Sequence, residues 1–273
     1  MRKGVQSIIP ESAYIVLGGT GLIGSAVREH LERRGETVIS IHSRNYVEWI
    51  GARTKVLVNC NGNTFRHRAN RDPKWDFEAS VATVQRSLFD FGFQLYLYVS
   101  TVDVYNVLDD PGQNHEDATI CPEMLMPYAF HKWIAERAVE RYAPRSAILR
   151  VGTALGPGLR KNPIYDLLSG QPLFMSLDSS LSFIDTRTIA RCVSAIVECG
   201  CEREIFNVAA TGSVRLRDIV AKLAAGARLA AGAEQTIYRY NINNSKMSRL
   251  VPMSACCEVV DNYLASLGGT DSR

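Results

Sequence analysis

The apolar run Ala13-Tyr14-Ile15-Val16-Leu17 leads without a linker into Gly18-Gly19-Thr20-Gly21-Leu22-Ile23-Gly24, and an amphipathic stretch follows to Arg34. A buried strand that reverses at once into a helix has few solutions. Glycines at 18, 21 and 24 let the backbone bend sharply and come close to an anionic group, whose charge the N-terminus of the new helix stabilises. Side chains at those positions would obstruct both. The spacing therefore predicts a site for the pyrophosphate of a dinucleotide, with Gly18, Thr20, Gly21, Leu22, Ile23 and Gly24 as cofactor-binding residues.

The rest of the chain supplies the context that such a turn requires. Short β-branched or aromatic runs at 13–17, 37–41, 55–60, 94–100, 147–151 and 204–208 read as strands. Amphipathic patterns at 22–34, 75–91, 128–142 and 186–199 read as helices between them. This βαβ alternation predicts an α/β fold: a Rossmann-like, doubly wound parallel sheet with helices on both faces. Residues 1–153, completed by 182–209, are expected to form the dinucleotide-binding domain. Residues 154–181 and 210–273, with helical patterns at 215–225 and 254–267 and a strand-like run at 236–242, are expected to form a small C-terminal substrate lobe over the carboxyl edge of the sheet.

Cofactor preference is read at the end of the second strand. Sites that prefer NAD place an acid there for the ribose hydroxyls. Here the segment reads Ile41-His42-Ser43-Arg44-Asn45, with no acid between Thr37 and Val47. The Arg44 guanidinium offers a fork of donors to a 2′-phosphate, and Ser43 adds a hydroxyl. NADP is the expected cofactor and NAD the alternative.

Tyr128 and Lys132 lie four residues apart at the start of a predicted helix, hence on one face. A neighbouring ammonium would lower the phenol's pKa from about 10 and suit it to proton exchange near neutrality. Ser100 and Thr101 end the fourth strand at the sheet's ligand-binding edge, where their hydroxyls can meet ligand or cap backbone.

The Gly18–Gly24 turn, Ser100-Thr101 with Val104-Tyr105, Pro127-Tyr128 with Lys132, and Leu149-Arg150 before Gly156-Pro157-Gly158 occur in that order. Phe183-Ile184-Asp185 and Phe206-Asn207-Val208 follow. In this combination, over roughly residues 13 to 265, the sequence resembles the extended short-chain dehydrogenase/reductases of the epimerase/dehydratase group. The resemblance implies an enzyme acting on a sugar or sugar-nucleotide. By its pattern Tyr128 is the acid/base, Lys132 holds the nicotinamide ribose and tunes the tyrosine, and Thr101 polarises the substrate oxygen. Asn59, Cys60 and Asn61 line the adenosine and ribose side, with Ser100 also against the cofactor. A homodimer through the 75–91 and 128–142 helices would fit the family.

The departures are informative. The acidic pair of the sugar dehydratases is Val102-Asp103 here, and valine cannot protonate a leaving hydroxyl. Asp103 remains an acid or a strand-end turn residue. Thr153 stands where nucleotide-diphosphate enzymes carry an asparagine, and Leu181 and Arg187 replace other expected contacts. Arg160 and Lys161 are alternative cations for the substrate, beside Thr101, Asp103 and Thr153. His131, about 100° around the helix from Lys132, is expected to be structural, and Arg150 to join an internal charge network. Together these features favour an NADP-dependent reductase of a keto-sugar or related carbonyl compound. The alternative is an epimerase that retains its cofactor; a non-catalytic NADP-binding regulator ranks third.

Composition bounds the partners. A net charge of +3 from 31 basic and 28 acidic residues is too small to imply nucleic acid or an anionic membrane. No apolar run nears the roughly 18 residues of a membrane span. The start of the chain has no apolar core of a secretory signal. Seven cysteines in no zinc-ligand spacing are expected to be small buried residues of a reducing cytoplasm, with no metal site.

Overall fold

The computed structural model describes residues 13–63, 65–223 and 226–268. The ends of the expected domains (1–12 and 269–273) and the last two residues of the expected 215–225 helix lie outside them. Strand β1 (Tyr14–Leu17) enters the glycine turn and helix α1 (Leu22–Arg33) leaves it. Then come β2 (Val38–Ile41), β3 (Arg53–Asn59), the short α2 (Arg66–Arg71), and a continuous helical stretch: α3 (Pro73–Asp76), a π-helical segment (Phe77–Ala82) and α4 (Thr83–Asp90). Strand β4 (Gly92–Thr101), helix α5 (Pro127–Tyr142), β5 (Ser146–Val151) and β6 (Thr153–Leu155) follow.

The remaining elements are α6 (Pro163–Leu168), β7 (Ser180–Leu181), β8 (Phe183–Asp185), α7 (Thr186–Cys199), β9 (Glu204–Val208), β10 (Val214–Arg215), α8 (Leu216–Leu223), α9 (Ser245–Ser248) and α10 (Cys256–Gly268). The six strands expected from the sequence form one parallel sheet in the order β2-β1-β3-β4-β5-β9. Two small pairs, β6 with β8 and β7 with β10, lie outside it.

Alternation along the strands feeds two cores. Tyr14 and Val16 of β1, with Leu95, Leu97 and Val99 of β4, face one apolar cluster, which also holds Val27 and Leu31 of α1 and Ile189 and Val193 of α7. Ile15, Leu17, Tyr96 and Tyr98 face the other, against Val84 and Leu88 of α4 and Ala135 and Val139 of α5. A sheet buried on both faces requires strands that are apolar throughout. The first cluster continues into the C-terminal pieces through Leu173, Leu181, Leu216, Tyr240 and Val259, so the lobe shares a core with the sheet. The run at 236–242 makes an isolated bridge at Arg239 and no ladder, and its Tyr240 and Ile242 are buried.

The edge of the sheet at β2 differs from a full doubly wound half. The segment 42–52 carries a single 3-10 turn (Tyr46–Trp49) and then reaches β3 on the far side of β1. It is too short for a helix, a further strand and a return crossover. Tyr46 pins this crossing, donating its hydroxyl to Asp90 at 2.9 Å and packing edge-on against Phe91.

The cysteines depart from expectation. Cys192 and Cys256 are buried, but Cys121 and Cys257 are exposed, and Cys199 is joined to Cys201 in a disulfide at the end of α7. The left-handed Gly200 between them closes the helix, and that bend brings the two sulfurs together. No described helix is long and apolar enough to cross a membrane, and no described cluster of His, Cys, Asp and Glu has the makings of a metal site.

Candidate active site

The carboxyl ends of β1, β3, β4 and β5 open into one cleft of about 700 Å³, lined also by Leu173, Phe174, Tyr238 and Tyr240 from the later part of the chain. Thr20, Gly21, Leu22, Ile23 and Gly24 line one end, and the turn that they form is fixed by contact. A Cβ at Gly24 would come within 2.2 Å of the Gly18 carbonyl oxygen, and Gly18 itself has φ of +74°. Helix α1 begins at Gly21 with no side-chain cap and no acid in its first turn, so its first N–H groups face the cleft unclaimed. These features fit a dinucleotide pyrophosphate. Replacement of Gly24 by alanine is expected to weaken NAD(H) or NADP(H) binding at least about tenfold and to cost about 1–3 kcal/mol of stability. Calorimetric titration and thermal unfolding of the variant measure both effects.

Four of the expected cofactor residues do not line this cleft. Gly18 shapes the turn and does not line the cleft. Asn59 is fully buried: its amide donates to Ser87 Oγ (3.1 Å) and Tyr96 Oη (2.6 Å), and its Oδ1 accepts from the Asn61 backbone N–H at 2.8 Å. It holds the strand end in shape while Cys60, Asn61 and Gly62 meet the cleft. Ser43 and Arg44 are exposed beyond β2, outside the cleft wall, on a turn held by Asn45 Oδ1 and His42 Nδ1. Ser100 reaches the cleft, but its hydroxyl is turned back to Glu136 Oε1 at 2.5 Å.

Tyr128, Lys132 and Thr101 do converge. Helix α5 starts at Pro127, whose fixed φ suits a first helical position, and Asn70 Oδ1 accepts the Tyr128 backbone N–H at 3.0 Å. Lys132 is buried on the cleft floor. Its Nζ donates to Val99 O at 3.2 Å and Tyr98 Oη at 3.3 Å, and Gly62, at φ +148°, approaches it so closely that a Cβ would lie 2.7 Å from Nζ. Burial pulls the Lys132 ammonium down to about 8, against the opposing pull of Asp76 and Glu136. Thr101 closes β4, accepts the Asp103 backbone N–H at 3.2 Å, and lies in the cleft wall with Tyr128, near enough to lower the phenol's pKa.

The electrostatics of Tyr128 correct the simple lysine picture. Burial raises its pKa well above that of a free phenol, and the Asp103 carboxylate adds to the rise. Arg66 and the Thr101 hydrogen bond oppose it. The cation that most lowers the phenol's pKa is thus Arg66, while Lys132 is held by Tyr98 and Val99.

Arg66, on α2, was not anticipated. Its Nη1 donates to both Asp103 oxygens at 3.2 Å and to Tyr240 Oη at 2.6 Å, and its guanidinium lies 4.5 Å from the centre of the Tyr238 ring. Tyr240 in turn donates to Asp103. The strand-end aspartate is therefore an ion-pair anchor that ties α2 to the lobe. The only sequence signal was the basic run Arg66-His67-Arg68 soon after a strand end.

Further out, Lys161 is paired with Asp166 at 2.7 Å, Arg160 is exposed at the rim, and His67 stacks on Phe174 with ring centres 4.1 Å apart. Thr153 is half-buried in the wall. His131 lies behind the site: its Nδ1 is 2.8 Å from the fully buried Asp76, which also accepts from Asn63 and Ser80. Arg150 is buried against Glu136, as an internal pair.

A scan of protein-family models finds no match to the sequence, and a search of curated proteins finds none either. Solved structures do match. MoeE5, in complex with UDP-glucose and NAD, superposes with a TM-score of 0.80 at 17% identity, covering 95% of this chain and 100% of the other. It shares the fold of the extended short-chain dehydrogenase/reductases. DesIV, a dTDP-glucose 4,6-dehydratase from Streptomyces venezuelae with NAD bound, gives 0.79 at 19% identity, covering 94% and 97%. UDP-glucuronic acid 4-epimerase from Bacillus cereus gives 0.73 at 18%, covering 93% and 99%. At these identities the likeness establishes the architecture of a short-chain dehydrogenase, and the chemistry has to be argued from the cleft.

Proposed function

We propose that this chain is a nicotinamide-dinucleotide-dependent enzyme that oxidises and re-reduces one carbon of a sugar nucleotide, an epimerase. The observation that carries the reading is the meeting of Tyr128, Thr101 and Lys132 with the uncapped α1 turn in one cleft. The lobe over that cleft forms part of the expected substrate site. The similar structures include sugar-nucleotide epimerases, and Val102 argues against dehydration. The cytoplasmic setting and the homodimer belong to the same proposal.

Thr20–Gly24 would hold the pyrophosphate, and Lys132, with Asn61 and Gly62 beside it, the nicotinamide ribose. When bound, the nicotinamide supplies a hydride acceptor and its positive charge, and later the donor. Tyr128 Oη takes the proton from the sugar hydroxyl as the carbonyl forms and returns it as the hydroxyl is restored. Thr101 donates a hydrogen bond to the sugar oxygen and keeps the phenol in line. Burial holds Tyr128 protonated in the free protein, so Arg66, Thr101 and the bound cofactor's charge must together bring the phenolate within reach.

A second reading, reduction of a keto-sugar by NADPH, is favoured by one observation: Arg44 and Ser43 stand exposed at the end of β2 where an acid would select NAD. The two separate in one experiment. Purified protein is denatured and its released dinucleotide quantified; separate protein is incubated with UDP-hexoses while nicotinamide absorbance and sugar configuration are followed. An epimerase carries bound cofactor and interconverts epimers without net absorbance change. Stoichiometric NADPH consumption would replace the epimerase reading by the reductase one.

A further inference from the structure

We infer that Arg66 is a clamp for a carboxylate on the substrate, so that the sugar handled at Tyr128 is an acidic one of the hexuronic type. The inference rests on the sugar-nucleotide reading and adds the substituent that the site selects.

Only one nitrogen of the guanidinium donates a hydrogen bond to a described residue. Nη1 carries the contacts to Asp103 and Tyr240, whereas Nε and Nη2 make no hydrogen bond with any described residue. Those two N–H groups point the same way from one edge of the planar group, the spacing that meets the two oxygens of a carboxylate. Arg66 is part of the cleft wall alongside Tyr128 and Thr101, and it is close enough to Tyr128 to influence the phenol's titration. With Nη1 committed to Asp103 and Tyr240, the rest of this cleft-lining side chain, 27% exposed, is what a ligand in the cleft can meet.

The surroundings make this a rigid receptor. The bond to Asp103 fixes the guanidinium from one side, Tyr238 stacks beneath it, and the buried Tyr240 hydroxyl closes the third direction. A side chain held so firmly loses little further freedom when it binds. The same surroundings choose among anions. Asp103 already neutralises this arginine, so the free edge offers two donors without net positive charge: a dianionic phosphate is the worse compensated there, while a carboxylate monoanion matches the two-pronged edge. Cations for a phosphate lie instead at the outer end, in Arg160 and Lys161.

Isothermal titration of the NADH-loaded protein with UDP-glucuronic acid and with UDP-glucose tests the clamp, because the two probes differ only in the carboxylate. Wild-type protein should bind the acid at least about tenfold more tightly. Arg66→Gln should abolish that preference with NADH affinity unchanged, and Arg66→Lys, which keeps the charge beside Asp103 but loses the fork, should retain only part of it. Equal affinity of wild-type protein for the two nucleotides, or a preference that survives Arg66→Gln in a variant whose circular dichroism and melting match the wild type, overturns the clamp and leaves the epimerase proposal standing. Failure to bind either nucleotide while NADH binds overturns the clamp together with the sugar-nucleotide half of that proposal.

Discussion

Tyr128→Phe should lower turnover by about 10²–10⁴-fold, the usual worth of a positioned acid/base, with cofactor affinity nearly unchanged. The phenyl ring keeps the packing at the start of α5 and removes only the hydroxyl that meets Thr101. Single-turnover kinetics with loaded cofactor read the chemical step directly, and fluorescence titration with NADH reads binding. Activity within a few-fold of wild type would remove Tyr128 from the chemistry. The pH profile adds a second signature: because burial raises the phenol, the limb that reports its ionisation should lie on the alkaline side and move further that way in Arg66→Gln, which deletes the opposing cation.

Glu136→Ala should be the most destabilising single change near the site. Glu136 is fully buried and receives Arg150 Nη2 at 2.7 Å, Arg150 Nε at 3.1 Å and Ser100 Oγ at 2.5 Å. Its removal leaves the Arg150 guanidinium, only 1% exposed, without a counter-charge. Breaking such a pair costs about 3–5 kcal/mol, which for a chain of this size lowers the melting temperature by roughly 10 °C. Replacing both partners by apolar residues, Glu136→Leu with Arg150→Met, should recover most of the loss, since no charge is then left buried. Differential scanning calorimetry of the two variants decides it. An unchanged melting temperature in the single variant would show that Arg150 finds another partner. The pair also joins α5 to β5, with Ser100 on β4 bonded to it, so the same variant should loosen the alignment of Thr101 with Tyr128.

Tyr128, Lys132 and Glu136 illustrate how much of the site could be read in advance. Their four-residue spacing places them on one face of α5, and the first two were evident as a pair. What the spacing does not reveal is the partner of each. Lys132 turned to Tyr98 and Val99, Glu136 to Arg150, and Tyr128 to Thr101, because the identity of the neighbour depends on which strand end packs beneath each helical turn. Asp103 shows the same limit: the sequence left it as an acid or a turn residue, and the fold made it the anchor of Arg66, 37 residues away, and of Tyr240, 137 residues away. Ser43 and Arg44 are the converse case. Sequence reading puts them at the end of β2, and there they stand exposed, without lining the cleft that holds Tyr128.

The amino-acid order alone determined the local elements: six apolar strands, the helices between them, and a Gly18–Gly24 turn whose glycines leave no room for a Cβ at 24, because each depends on residue pattern within a few positions. The tertiary structure decided the edge position of β2, the burial of Asn59, and above all the Arg66–Asp103–Tyr240 contact at the reacting end. Those features arise where segments distant in the chain are brought together by a shared core, and charge pairing over such separations leaves no periodic trace in the sequence.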